Sequence, residues 1–136
     1  MQIIQAGLQD AARLALLNKR LIEDEQSDNP MSVAELEGRM RGFLRGEYHA
    51  YLFSEGGETV GYALVRHTST PLYLRQFYID RGFRRRHYGQ SVFRLLMERL
   101  QADAIDIDVL PWNEAGRLFW KSCGFQETCV SMRHKA

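Results

Sequence analysis

The sequence is poor in cysteine and proline, and it carries no large excess of charge of either sign. Its two cysteines, Cys123 and Cys129, fit no metal-ligand spacing and cannot form the multi-bridge framework of a small secreted domain. Reduced, buried thiols are expected, and no metal. The formal net charge of +1 gives no global field for nucleic acid. No apolar run approaches the ~18 residues that a membrane span needs. The opening MQIIQAGLQD lacks the basic start and apolar core of a signal peptide, so the expected location is the cytoplasm. Walker chemistry is excluded because no Gly-Lys-Ser/Thr follows a glycine-rich loop. A dinucleotide turn is disfavoured because Gly-x-Gly-x-x-Gly is missing. The three prolines, Pro30, Pro71 and Pro111, all fall where other signals already place loops. With no repeat, linker or low-complexity tract, residues 1–136 read as one domain.

What is present is a strong alternation of periods. Gln2 to Gln5 reads as a short strand. Leu14, Leu17 and Leu21 place a helix over Leu8 to Asp24, ending in the acidic cluster Glu23-Asp24-Glu25. Ser32-Val33-Ala34-Glu35 is a capping box, Met31 and Leu36 can form a hydrophobic staple, and Gly46 can stop the helix. Tyr48 to Ser54 and Thr59 to His67 read as strands joined by Glu55-Gly56-Gly57-Glu58, a hairpin turn. Leu72 to Ile79 is the third strand of this meander. An amphipathic helix then runs to about Gln101, with Val92, Leu95, Leu96 and Leu100 on its apolar face. A strand over Ile105 to Leu110, a short helix over Asn113 to Ser122 and a closing strand from Phe125 to about Arg133 complete the chain. This order predicts an α/β fold with a mixed sheet and helices packed on its faces.

The stretch that bears chemistry is the turn Arg84-Arg85-Arg86-His87-Tyr88-Gly89-Gln90 between a strand and a helix. Consecutive backbone amides and a helix N-terminus hold phosphates well, and arginines add charge-assisted hydrogen bonds. Read alone, the turn is equally a solvated basic loop or a small nucleic-acid patch.

Ile79 to Ser91 resembles the acyl-CoA-binding motif of the GNAT superfamily of N-acetyltransferases, Arg/Gln-x-x-Gly-x-Gly/Ala. Arg84 takes the first position and Gly89 the last, and His87 stands where a glycine is usual. A second register, Arg86-x-x-Gly89-x-Ser91, matches about as well. The first is preferred because it puts Ile79-Asp80 and Val92-Phe93 where the family has them. Downstream, Asn113 to Phe125 resembles the family's Asn-x-x-Ala-x-x-Phe-Tyr-x-x-x-Gly-Phe segment. Here Gly116 replaces the alanine and Trp120 the tyrosine.

The resemblance covers nearly the whole chain. It implies a GNAT fold: a mixed, mostly antiparallel central sheet, helices on both faces and a splayed strand pair. It also implies transfer of an acetyl group from acetyl-CoA, as co-substrate, to an amine in a ternary complex. The acceptor would be a small molecule or a peptide, with no nucleic acid and no membrane involved, and a homodimer is left open. The diphosphate would sit on Arg84, Arg85, Arg86, His87, Tyr88, Gly89 and Gln90. The pantetheine arm would pair with the strand Phe77-Tyr78-Ile79 and pass Asn113 and Trp120.

The catalytic candidates are weaker. Where many relatives have a tyrosine that protonates the departing thiolate, Trp120 has only an indole N–H. Tyr73 takes the place of a base glutamate found in some relatives. Glu25, near the acceptor side in the family, is the other candidate, relaying a proton through water. Phe119 reads equally as plain core, and Asn113 as only a helix cap. A non-catalytic acyl-CoA-binding module is the alternative that the Trp120 departure supports.

Overall fold

A computed structural model describes residues 1–84 and 88–136; Arg85, Arg86 and His87, expected from the sequence to help hold a diphosphate, lie outside the described residues. Five strands form one sheet in sequence order: β1 (Gln2–Gln5), β2 (Tyr48–Glu55), β3 (Glu58–Arg66), β4 (Leu72–Ile79) and β5 (Ile105–Asp106). The first three pairings are antiparallel and β4–β5 is parallel. Gly56 and Gly57 both have positive φ, as a two-residue turn between right-twisted strands requires.

Helices cover both faces. On one, α1 (Ala11–Asp24) and α2 (Val33–Arg45) pack Leu14, Leu17 and Met40 against Leu52, Tyr62, Leu64 and Tyr78. On the other, α3 (Tyr88–Leu100) packs Val92, Phe93 and Leu96 against Phe53, Val60, Val65 and Leu74, and α4 (Glu114–Ser122) adds Trp120 at the margin. Burying each such large side chain contributes about 1.5–3 kcal/mol, so these faces hold the sheet between two layers. The start of α2 forms as its sequence directs. Ser32 Oγ accepts from the Glu35 amide at 3.2 Å, Glu35 Oε1 accepts from the Ser32 amide at 2.9 Å, and Met31 packs beside Leu36.

Two expected strands need correction. The strand foreseen over Ile105 to Leu110 pairs only at Ile105 and Asp106, opposite Leu72 and Tyr73. The cause lies in β4. Val65 pairs with Leu74 and Leu64 with Gln76, which leaves Arg75 as an extra residue in the ladder. A bulge bends its strand, and this one follows directly on the last β4–β5 pair. The two chains then part, and 107–110 runs on as irregular backbone. The closing strand from Phe125 to Arg133 does not form either, because a two-residue β5 offers almost no ladder for it to join. Cys129 is consequently exposed rather than buried, while Cys123 is half-buried.

Candidate functional site

The parting of β4 from the chain after β5 opens a cleft of about 740 Å³. Leu74 to Ile79 form one wall, 107–110 the opposite wall, and Asn113, Gly116, Phe119 and Trp120 the floor toward α4. Arg84, Gly89 and Gln90 close one end, and Asp24, Glu25 and Gln26 reach in from the end of α1. A strand edge with no partner presents backbone donors and acceptors to any extended, amide-bearing ligand.

At the end closed by α3, Arg84 donates from Nε to the Ile79 carbonyl at 2.5 Å, lies over the Tyr78 ring and pairs through Nη2 with Asp24. Arg81 bonds the same carboxylate at 2.9 Å. Burial alone would raise the Asp24 pKa, but hydrogen bonds and charge from Arg84 and Arg81 outweigh it and leave the carboxyl below its usual range. Gly89 lies in the first turn of α3 under the Phe119 ring, where an added Cβ would come within 2.9 Å of a ring carbon. The space that glycine opens is therefore filled by an aromatic ring of α4. Tyr88 turns away from the cleft and donates its hydroxyl to Glu55 at 2.9 Å. Gln90 Nε2 donates to Ser122 Oγ at 2.7 Å, tying the start of α3 to the end of α4.

Asn113 caps α4. Its side-chain oxygen accepts from the Gly116 amide at 3.0 Å. The departure at 116 now has a physical account: a Cβ there would sit 2.4 Å from the Asn113 side-chain nitrogen. Trp120 stands edge-on to Phe77, Phe93, Phe119 and Phe125, with centroid distances of 5.1, 5.5, 4.7 and 5.3 Å. Such edge-to-face pairs contribute about 0.5–1.5 kcal/mol each beyond burial, so the indole is a fixed wall of the cleft. Tyr78 and Ile79 are buried, and Phe77 is half-buried at the aromatic cluster.

Of the two proton-handling candidates, only Glu25 lines the cleft. Crowding of protein around its carboxyl, and then the charge of Asp24, push its pKa up. Tyr73 lines a second pocket, which meets the cleft on the α1–α2 side of β4. Its hydroxyl donates to Asp108 Oδ2 at 2.8 Å, and its pKa is pushed up to about 12 by burial and that carboxylate. A phenol so placed holds its proton firmly.

The sequence reading had not singled out Arg39, Arg75, Asn18 and Gln76, which line that second pocket with Tyr73 and Glu25. Arg75 was hidden by the strand pattern; only the bulge turns it out of register. Among the described residues no group of three or more His, Cys, Asp or Glu is arranged to hold a metal ion. Nor is any helix among them long and apolar enough to cross a membrane.

Residues 11–125 match the model of the acetyltransferase (GNAT) family. No curated protein matches the chain in sequence. Among solved structures, the chain superposes on a "possible acetyltransferase" from Clostridium difficile 630 with a TM-score of 0.81 at 15% identity, covering 99% of this chain and 96% of that one. It superposes on the aminoglycoside N-acetyltransferase AAC(6')-Iy in complex with CoA with a TM-score of 0.76 at 15% identity, covering 99% and 93%. For AAC(6')-Iy in complex with a bisubstrate analogue, CoA-S-monomethyl-acetylneamine, the TM-score is 0.75 at 16% identity, covering 99% and 97%.

Proposed function

From the premise that this chain belongs to the GNAT acetyltransferase family, we propose that it is an N-acetyltransferase which moves an acetyl group from acetyl-CoA to an amine within one ternary complex. The observation that carries the reading is the cleft itself. An unpaired edge of β4 faces irregular backbone across a groove that ends at Arg84 and the start of α3. A peptide-like pantetheine arm can add to such an edge by ordinary ladder hydrogen bonds. The diphosphate lies toward Arg84 and the amides at the head of α3, where charge and helix dipole favour an anion. Arg85, Arg86 and His87 belong to the same proposed turn. Two structures of the similar AAC(6')-Iy, one with CoA and one with a CoA-linked acceptor analogue, support acyl-CoA as the co-substrate.

Acetyl-CoA supplies an acyl group activated as a thioester. The protein's part is to present the amine, take up its proton and stabilise charge on the carbonyl oxygen. Past the last β4–β5 pair, Tyr73 with Asp106, the cleft-side edge of β4 has no ladder partner among the described residues, so backbone amides there can face the carbonyl. Glu25, directly or through water, accepts a proton from the ammonium, since only the free amine attacks. The C–N bond forms as the C–S bond breaks, and the remaining excess proton on nitrogen ends on the departing thiolate. Trp120 has no acid to offer, so water relays that proton from the nitrogen to the sulfur. A cytoplasmic location, as expected from the sequence, fits the use of free acetyl-CoA.

The test is release of free CoA thiol from acetyl-CoA across a panel of amines, beside calorimetric binding of acetyl-CoA. Amine-dependent release above the amine-free rate is expected. Binding with no turnover on any amine would leave the non-catalytic module, and absence of binding would remove both readings.

A further inference from the structure

The second pocket has a chemistry of its own. It measures about 260 Å³ and is lined by Asn18, Leu21, Ile22, Glu25, Ser27, Arg39, Tyr73, Arg75 and Gln76. Leu21, Glu25, Arg75 and Gln76 also line the main cleft, so the two spaces meet. Arg39 comes from α2 and Arg75 from the β4 bulge, and both guanidiniums lie against the Phe43 ring, at 5.5 and 4.8 Å from its centroid. Burial, and then the charge of Arg75, pull the Arg39 pKa down. Among the described residues neither has a carboxylate within ion-pair distance. Asn18 accepts from Arg39 Nη2 at 3.2 Å, yet Arg39 Nε is buried and has no partner among the described residues. Arg75 donates to the Tyr48 hydroxyl at 3.5 Å, its one hydrogen bond to a side chain among the described residues. Buried donors are ordinarily satisfied, so the orphaned Arg39 Nε marks a missing acceptor, and Arg75, exposed at the pocket, adds a second guanidinium with no counter-charge beside it among the described residues.

We propose that this pocket binds a carboxylate carried by the acceptor, held by Arg39 and Arg75, so that the acceptor is a small amino acid whose amine is presented at Glu25. The proposal rests on the acetyltransferase reading and names the substrate class of that site. The polarity of the pocket runs the right way. Arg39 lines this pocket alone, whereas Glu25, with Arg75 beside it, stands where the pocket opens into the cleft. A zwitterion laid across it meets opposite charges at both ends, with its nitrogen toward the β4 edge. Gln76 is held still by the Tyr62 hydroxyl at 2.7 Å, and Asn18 is buried at 2% exposure, so the back wall is rigid. The volume suits a single small molecule better than a folded protein segment.

The experiment compares kcat/KM for a panel of amino acids, each against its own carboxamide, with O-phosphoethanolamine and short peptides as further arms. Acetyl-CoA binding is measured by calorimetry in parallel. The carboxylate member of a pair should be favoured by about 10–100-fold, the worth of one or two charge-assisted hydrogen bonds. Arg39→Gln and Arg75→Gln should each erode that preference through KM and together bring it near parity, and Arg39→Gln, whose side chain lines the second pocket alone, should leave acetyl-CoA affinity unchanged. Carboxamides used as well as carboxylates, or a preference that survives the double variant, would overturn the proposal while the acetyltransferase reading stands. Faster turnover of the phosphate-bearing amine or of peptides would also overturn it. No turnover with any acceptor would overturn it too, and the binding measurement would then show whether the CoA site fails with it.

Discussion

Asp24, the last residue of α1, holds Arg84, the first residue of the proposed diphosphate turn, in an ion pair across the mouth of the cleft. The acidic end of one helix is thereby tied to the basic approach to another, and Arg81 shares the same carboxylate. In the absence of an anionic ligand the pairing is favourable to both partners. For a diphosphate it is competition.

Asp24→Asn should therefore tighten CoA binding, by about 3–10-fold at low salt and less as salt screens the charges. Calorimetry at two ionic strengths reads this. Unchanged or weaker affinity would mean that Asp24 serves to position Arg84 rather than to compete for it. The pH sign follows from the lowered Asp24 pKa. Its contribution to stability is present above the ordinary aspartate pKa of about 4 and is lost as pH falls through the depressed folded value. Acid unfolding of Asp24→Asn should accordingly be shallower than that of the parent.

Glu25 has the opposite sign. Its raised pKa means the folded chain binds that proton more readily than the unfolded chain. The ionised carboxylate thus destabilises the fold once pH rises above the ordinary glutamate value. Glu25→Gln should raise the Tm near pH 7 and lose this advantage toward pH 4. The same variant should slow acetyl transfer while sparing acetyl-CoA affinity. If its rate and acid limb match those of the parent, Glu25 is not the proton acceptor. Tyr73→Phe is the control: it should leave the pH–rate profile in place, because that phenol keeps its proton up to about 12.

Much of this arrangement was legible in the chain alone, and the exceptions share a cause. The capping box at Ser32, the Gly56-Gly57 turn and the extent of β4 are local signals, and the structure follows them. The strand pattern of 105–110 was equally clear, yet only Ile105 and Asp106 pair. Alternation reports which residues want burial; it does not report whether a partner edge lies within reach. The bulge at Arg75 decides that, and an extra residue in a ladder leaves no mark in a sequence until both strands are aligned. The Arg39–Arg75 pocket escaped for the same reason. Its parts lie on α2 and β4, and neither element shows alone that a second guanidinium faces it.

Gly89 offers a way to separate packing from ligand binding. A methyl group there meets the Phe119 ring, and overpacking of this kind costs about 1–3 kcal/mol. Gly89→Ala should lower the Tm even without CoA. Pairing it with Phe119→Leu, which clears the ring, should recover much of the loss. A Tm unchanged by Gly89→Ala would mean that the ring moves aside freely, and any loss of CoA affinity would then belong to the phosphate turn itself.

Trp120 decides whether the departure at that position is chemical or structural. Its four edge-on aromatic neighbours fix the ring, and its indole has no proton to give at any ordinary pH. Trp120→Phe keeps most of the apolar contact and removes only the N–H. Its kcat should stay within about twofold of the parent, while the smaller ring leaves a void costing about 1–3 kcal/mol in stability. Trp120→Ala should unfold the wall of the cleft and weaken CoA binding as well. The informative comparison is Trp120→Phe alone. A fall in kcat beyond about tenfold, with the fold and acetyl-CoA affinity intact, corresponds to about 1.4 kcal/mol of lost transition-state stabilisation. That result would place the indole N–H on the departing sulfur, and the tryptophan would then be a functional replacement for the usual tyrosine rather than a structural one.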